Sequence, residues 1–156
     1  MKHFAFMSYY VLLVIMLQLV PGTAFAQDVI PKTPPPPPDI SLFTVFDPDF
    51  SYLNQGHAYI TDEGSQEVTI SGDSSSLKRV DKIGVQLTLQ RWTGSTWVDV
   101  ESGLPAYETD STFAYVSHSD ITVESGYYYR TKSYHWIEKD SITESGARYS
   151  SSILIN

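Results

Sequence analysis

The 156-residue chain contains no cysteine. That excludes disulfides, thiolate zinc sites, a cysteine nucleophile and a lipid anchor on cysteine. Basic residues are few: 10 Lys and Arg stand against 18 Asp and Glu, a formal net charge of −8. A chain this acidic has no basic surface with which to seek nucleic acid. No block of five like charges occurs, so there is no acidic tail to interpret. After residue 20 no apolar run is long enough to span a membrane. Catalytic motifs are also missing. His3, His57, His118 and His135 show no H-E-x-x-H spacing, and there is neither a G-x-S-x-G nor a Gly-rich phosphate loop. Asp62-Glu63 and Asp47-x-Asp49 fall in turn-like stretches, where turn chemistry accounts for the Asp residues better than a glycosidase dyad or a calcium site does. With no constellation to test, the reading is a non-enzyme with no cofactor and no metal.

What the chain does have is rings. Aromatics make up 13% of it, and 11 of them are Tyr. That suffices for one core without staples. The N-terminus carries an address. Lys2 and His3 precede the apolar run Val11 to Val20, Pro21-Gly22 breaks it, and Ala24-Phe25-Ala26 offers small residues to a peptidase. Residues 1–26 therefore read as a secretory signal peptide cleaved before Gln27, leaving a secreted, extracellular or cell-wall-associated protein; an uncleaved membrane anchor over Phe4 to Val20 is the alternative. Residues 27–42, with Pro34 to Pro38 in a row, read as a Pro-rich disordered linker. A docking ligand for a proline-binding module is the sharper alternative. Residues 43–156 form the expected folded domain.

Its clearest stretch is Ile83 to Val100. Ile83, Val85, Leu87 and Leu89 alternate with Gly84, Gln86, Thr88 and Gln90, the period of two of a half-buried strand. Thr93 to Thr96 turns the chain, with Gly94 free to adopt φ > 0, and Trp97 to Val100 returns. Other strands are expected over His57–Thr61, Gln66–Ser71, Thr112–Ser117, Glu124–Glu138 and Tyr149–Ile155. Gly72 to Ser76 reads as a polar loop, and Pro105 breaks the chain after the hairpin. No window has a 3.6-residue period. The fold class is all-β, an antiparallel two-sheet sandwich of immunoglobulin-like type, with an antiparallel barrel as the alternative.

In Glu124 to Glu138, alternation and charge place Tyr127, Tyr129, Thr131, Ser133, His135 and Ile137 inward. Tyr128, Arg130, Lys132, Tyr134 and Trp136 then face out. Glu124-x-Gly126-x-Tyr128 resembles the D-x-G-x-Y entry to strand F of immunoglobulin folds, which implies a tyrosine corner at Tyr128, while Arg130 stands where the second cysteine would be. The WTGSTWVDV and GYYYRTKSYHWIE motifs, followed by TESG and ARYSSSILI, resemble a family of small secreted proteins of Gram-positive bacteria, a domain of unknown function. That resemblance implies an exported bacterial protein and brings no activity.

The candidate ligand-binding surface is an aromatic face of Trp92, Trp97, Tyr128, Tyr134 and Trp136, with Gln86, Thr88 and Gln90 as hydrogen-bonding neighbours. The bland alternative is cross-strand aromatic pairing with Arg130 and Lys132 lying over the rings. The expected function is an extracellular or cell-envelope interaction or structural module. The alternative is a carbohydrate-binding module. The corresponding partners would be an extracellular protein or a cell-wall glycan.

Overall fold

The computed structural model describes residues 30–38 and 46–156. The expected signal peptide, residues 1–26, lies outside the described residues. Among the described residues seven strands occur: β1 (Leu53–Gly64), β2 (Glu67–Trp92), β3 (Trp97–Ser102), β4 (Ala106–Thr122), β5 (Tyr128–Lys139), β6 (Ile142–Tyr149) and β7 (Ile153–Leu154). All pairings are antiparallel, and no helix is present among the described residues. The chain is all-β, an antiparallel sheet curled into a half-barrel.

The hairpin seen in the sequence is the tip of a longer one. Trp92 pairs with Trp97 across a turn in which Gly94 takes φ 99°. β3 and then β4 follow the same edge of β2 down to Glu67 opposite Thr122. The break between them is Gly103-Leu104-Pro105, where proline has no N–H for the ladder. On its other edge β2 pairs first with β1 and then with β5. Register shifts between Ser75 and Val80 mark where β2 bends from one set of neighbours to the next.

Gly72 to Ser76, expected as a loop, is a continuous part of β2. Its period of two is present but hidden. Val68, Ile70, Gly72 and Ser74 are all buried, and the last two are small. A Cβ on Gly72 would sit 2.8 Å from Leu87 Cδ2. The strand gives up side-chain volume where Leu87 fills the interior. The apolar core itself gathers Ile83, Val85, Leu87 and Leu89 with Leu53, Val68, Ile70, Val80, Ile137 and Ile155. Each such side chain contributes roughly 1.5–3 kcal/mol on burial.

Two polar contacts close the curl. Glu144 on β6 is buried and accepts the backbone N–H groups of Ser51 at 2.6 Å, Tyr52 at 3.0 Å and Leu53 at 2.6 Å. A carboxylate satisfied by three amides ties the start of β1 to the far strand of the sheet. Thr131 Oγ1 on β5 donates to Tyr59 O of β1 at 2.9 Å.

The hydroxyl-to-backbone bond expected of Tyr128 is made by Tyr129. Its hydroxyl accepts from Glu124 N at 3.0 Å and donates to Glu124 O at 3.3 Å. The inward phase of β5 decides this: Tyr129 is buried and Tyr128 only half so.

The Pro-rich segment also departs from expectation. Composition makes it a disordered linker, yet Lys32, Thr33 and Pro34 within it touch the domain. Lys32 N donates to Gly126 O at 2.7 Å, and Pro34 O accepts from Trp92 Nε1 at 3.0 Å.

Candidate interaction surface

β5 presents two chemically different faces, and the inner one holds an imidazole. His135 is fully buried. Ser74 Oγ lies 2.8 Å from its Nδ1 and Ser133 Oγ 2.6 Å from its Nε2. Ser74 Oγ spends its own proton on Gly84 O at 2.8 Å. It must therefore accept from Nδ1–H, which leaves Nε2 as the acceptor for the Ser133 hydroxyl. Both ring nitrogens are satisfied in the neutral form. Burial first, then the positive charges of Arg148 and His57, lowers the His135 pKa to about 3. The Phe46 ring covers it at a centroid distance of 5.4 Å. Gly56 leaves room for both rings, since a Cβ there would meet each at 2.7 Å. This group is sealed and neutral, as an interior residue rather than a base.

His57 is more accessible. Its Nδ1 lies 2.9 Å from Asp73 Oδ1, and its ring stacks on Tyr59 at 5.9 Å. Tyr59 has its pKa raised, by burial and then by the Asp73 charge. Among the described residues no serine hydroxyl bonds His57, and the cavity beside it is also lined by Tyr59, Thr61, Ser150 and Ser151. Nor does any group of three His, Cys, Asp or Glu suited to a metal ion occur among the described residues.

The outer face of β5 carries most of the expected surface. Gly84, Gln86, Thr88 and Gln90 of β2 stand opposite Trp136, Tyr134, Lys132 and Arg130. Trp136 lies against Gly84, where any side chain would collide with the indole. The Tyr134 and Trp136 rings are nearly parallel, 22° between planes and 5.9 Å between centroids. At the other end the Arg130 guanidinium sits 4.2 Å from the Trp97 ring and 4.2 Å from the Tyr149 ring. Its Nε donates to Gln90 Oε1 at 2.9 Å, and Gln90 Nε2 donates to Asp99 at 2.6 Å. Arg130 and Tyr134 are four residues apart, roughly 13 Å along a strand.

The five expected residues are thus divided. Tyr134 and Trp136 form one pair, while Trp97 joins Arg130 and Tyr149 in a second group. Tyr128 is half-buried at the start of β5, opposite Leu154 of β7. Trp92 does not belong to an open face. It is 7% exposed, packed on Trp97 at 5.3 Å and covered by Pro34. The polar neighbours are engaged as well. Gln86 Nε2 donates to Gly103 O at 3.2 Å, and the Thr88 and Ser102 hydroxyls lie 3.1 Å apart. Sequence reasoning missed Tyr149, whose place is fixed by its pairing with Lys132 in β6, a strand that polar TESG conceals. It also missed Glu144, whose partners lie more than ninety residues away.

No family model matches the chain, and no curated protein matches it. Among solved structures, a protein from Archaeoglobus fulgidus is similar over 67% of this chain and 98% of its own, with 15% identity and a TM-score of 0.35.

Proposed function

We propose that this chain is an exported, non-catalytic module that acts outside the cell by interaction or as a structural part of the envelope. In this reading the half-barrel is an immunoglobulin-like sandwich, with β2 bending from one sheet into the other at Ser75 to Val80. The chain would join the small secreted proteins of Gram-positive bacteria that its WTGSTWVDV and GYYYRTKSYHWIE motifs resemble.

The observation that carries the reading is the outer face of β5. Its rings and cations are tied to each other, and Gln86, Thr88 and Gln90 already hold cross-strand bonds. A face organised this way offers a surface of mixed aromatic and polar character, suited to a flat partner. The carbohydrate-binding alternative keeps one specific support: Tyr134 is 45% exposed and nearly parallel to Trp136.

The two are separated by titrating the mature protein, from Gln27, with soluble and insoluble polysaccharides, peptidoglycan included. Tryptophan emission and co-sedimentation report binding. Saturable binding lost in Trp136→Ala, with the fold retained by circular dichroism, makes the protein a glycan binder and overturns the first reading. No binding to any glycan, with saturable binding to protease-sensitive envelope material, supports it. N-terminal sequencing of the exported product tests the cleavage before Gln27.

A further inference from the structure

The Pro-rich segment is held as a peptide ligand is held, not as a strand. Among the described residues its one backbone bond to the domain is Lys32 N to Gly126 O at 2.7 Å. Every other contact runs through side chains. Lys32 Nζ reaches Glu124 Oε1 at 2.7 Å and lies 4.9 Å from the Tyr127 ring centroid. Trp92 Nε1 donates to Pro34 O at 3.0 Å. The half-buried positions of the segment are Thr33 and Pro36, with Lys32, Pro34, Pro35 and Pro37 exposed. A spacing of three is the turn of a polyproline II helix, which shows the same face every third residue.

The receiving surface meets the segment at Lys32, Thr33 and Pro34. Trp92 and Tyr127 supply rings, and Gly94 and Gly126 bring the backbone close. A Cβ on Gly94 would lie 3.5 Å from Pro34 Cδ, and one on Gly126 would lie 3.0 Å from Lys32 Cγ. Both glycines have positive φ, at 99° and 83°. An indole N–H donating to a proline-segment carbonyl, an aromatic floor and one carboxylate for a basic residue are the elements of polyproline recognition. The charge is set in place: Arg91 lies 4.8 Å from the other ring contact, Tyr127, and 3.2 Å from Glu124 Oε2.

We propose that the groove of Trp92, Tyr127, Gly94, Gly126 and Glu124 is a binding site for proline-rich peptides of the Lys-Thr-Pro-Pro type, and that residues 31–38 are its ligand in cis. The leader is then a bound ligand. A rigid polyproline segment loses little conformational freedom on docking, which lets so few polar contacts hold it.

The test works in trans. The mature chain is made with residues 31–38 replaced by Gly and Ser at equal length, and its fold is checked by circular dichroism. A labelled peptide of residues 29–39 is then titrated in, with anisotropy and the Trp92 indole N–H resonance as readouts. Saturable binding is expected, about tenfold weaker for a peptide carrying Lys32→Glu. Glu124→Lys in the receiving chain should restore the affinity of that reversed peptide. Absence of saturable binding to the folded variant, or equal binding of both peptides, overturns the proposal. If the Gly-Ser chain does not fold, the same reversal is made within the intact chain. Acrylamide quenching of Trp92 should then rise in Lys32→Glu and in Glu124→Lys and return to the original value in the double variant. No rise, or no return, overturns the proposal equally.

Discussion

The two faces of β5 both carry aromatic and polar groups and treat them in opposite ways. Inward, Tyr129, Thr131, Ser133 and His135 are polar groups among apolar neighbours, and all are buried. They remain there because each polar atom has a partner and none is charged. Outward, Tyr128, Arg130, Lys132, Tyr134 and Trp136 keep their charges beside water. There the rings serve as cover for a cation and for the bare backbone of Gly84. The inner face is held by stoichiometry, so that losing one partner strands another. The outer face is held by many weak contacts, each of which can be lost at small cost.

The sharpest way to break the inner face is His135→Ala. It opens a cavity beside Phe46 and leaves the Ser133 hydroxyl without its best acceptor and the Ser74 oxygen without its donor. A loss of about 3 kcal/mol or more is expected from urea unfolding. A pH titration probes the same group without mutation. The His135 pKa lies at about 3 in the fold, below its ordinary value of 6.5. Above pH 6.5 the imidazole is neutral in both folded and unfolded chains, so it makes no pH-dependent contribution. Between 6.5 and about 3 the unfolded chain binds a proton that the folded chain refuses. Stability should therefore fall on acidification, by roughly 1.4 kcal/mol per pH unit from this residue. Imidazole nitrogen resonances should show one neutral Nδ1–H tautomer throughout the folded range. An imidazole that titrates near 6.5 in the folded protein would sink the account.

An intermediate effect is expected for Glu144→Gln. The amide retains one oxygen for three backbone donors and turns an N–H₂ group toward others. A loss of about 1–3 kcal/mol should follow, with faster hydrogen exchange at Ser51 to Leu53 than along the rest of β1 beyond Leu53. Uniform exchange along β1 would mean that the clip does not fix that end.

What could be seen in the sequence follows the same division. Alternation in Ile83 to Leu89 and the phase of β5 were legible, because large apolar residues mark one face and charges the other. Gly94 and Pro105 were legible as a turn and a break, because backbone chemistry alone dictates them. Gly72 to Ser76 was hidden because its inward residues are small to suit Leu87 and His135, and that need is set by other strands. β6 was hidden because its one buried side chain is a glutamate. The surface was half legible. Tyr134 and Trp136 face out as alternation requires, but the burial of Trp92 comes from Pro34, 58 residues earlier, in a stretch whose composition speaks only for extension.

The smallest effect should come from Arg130→Met, and it is the one that tests the outer face as a surface. The side chain packs between Trp97 and Tyr149, and methionine keeps most of that apolar stem while removing the charge. What disappears includes the attraction to two half-exposed rings and the hydrogen bond to Gln90. The cost should be about 0.5–1 kcal/mol, close to the lower limit of a denaturation experiment. Local structure is the better readout. Trp97 and Tyr149 ring resonances should shift, with Tyr134 and Trp136, roughly 13 and 20 Å along the strand, unmoved. If both ring groups respond together, the face is one coupled unit, and a partner seated on Tyr134 would be felt at Trp97. If only the near rings respond, the outer face is a set of independent contacts, and a partner can be read from it one group at a time.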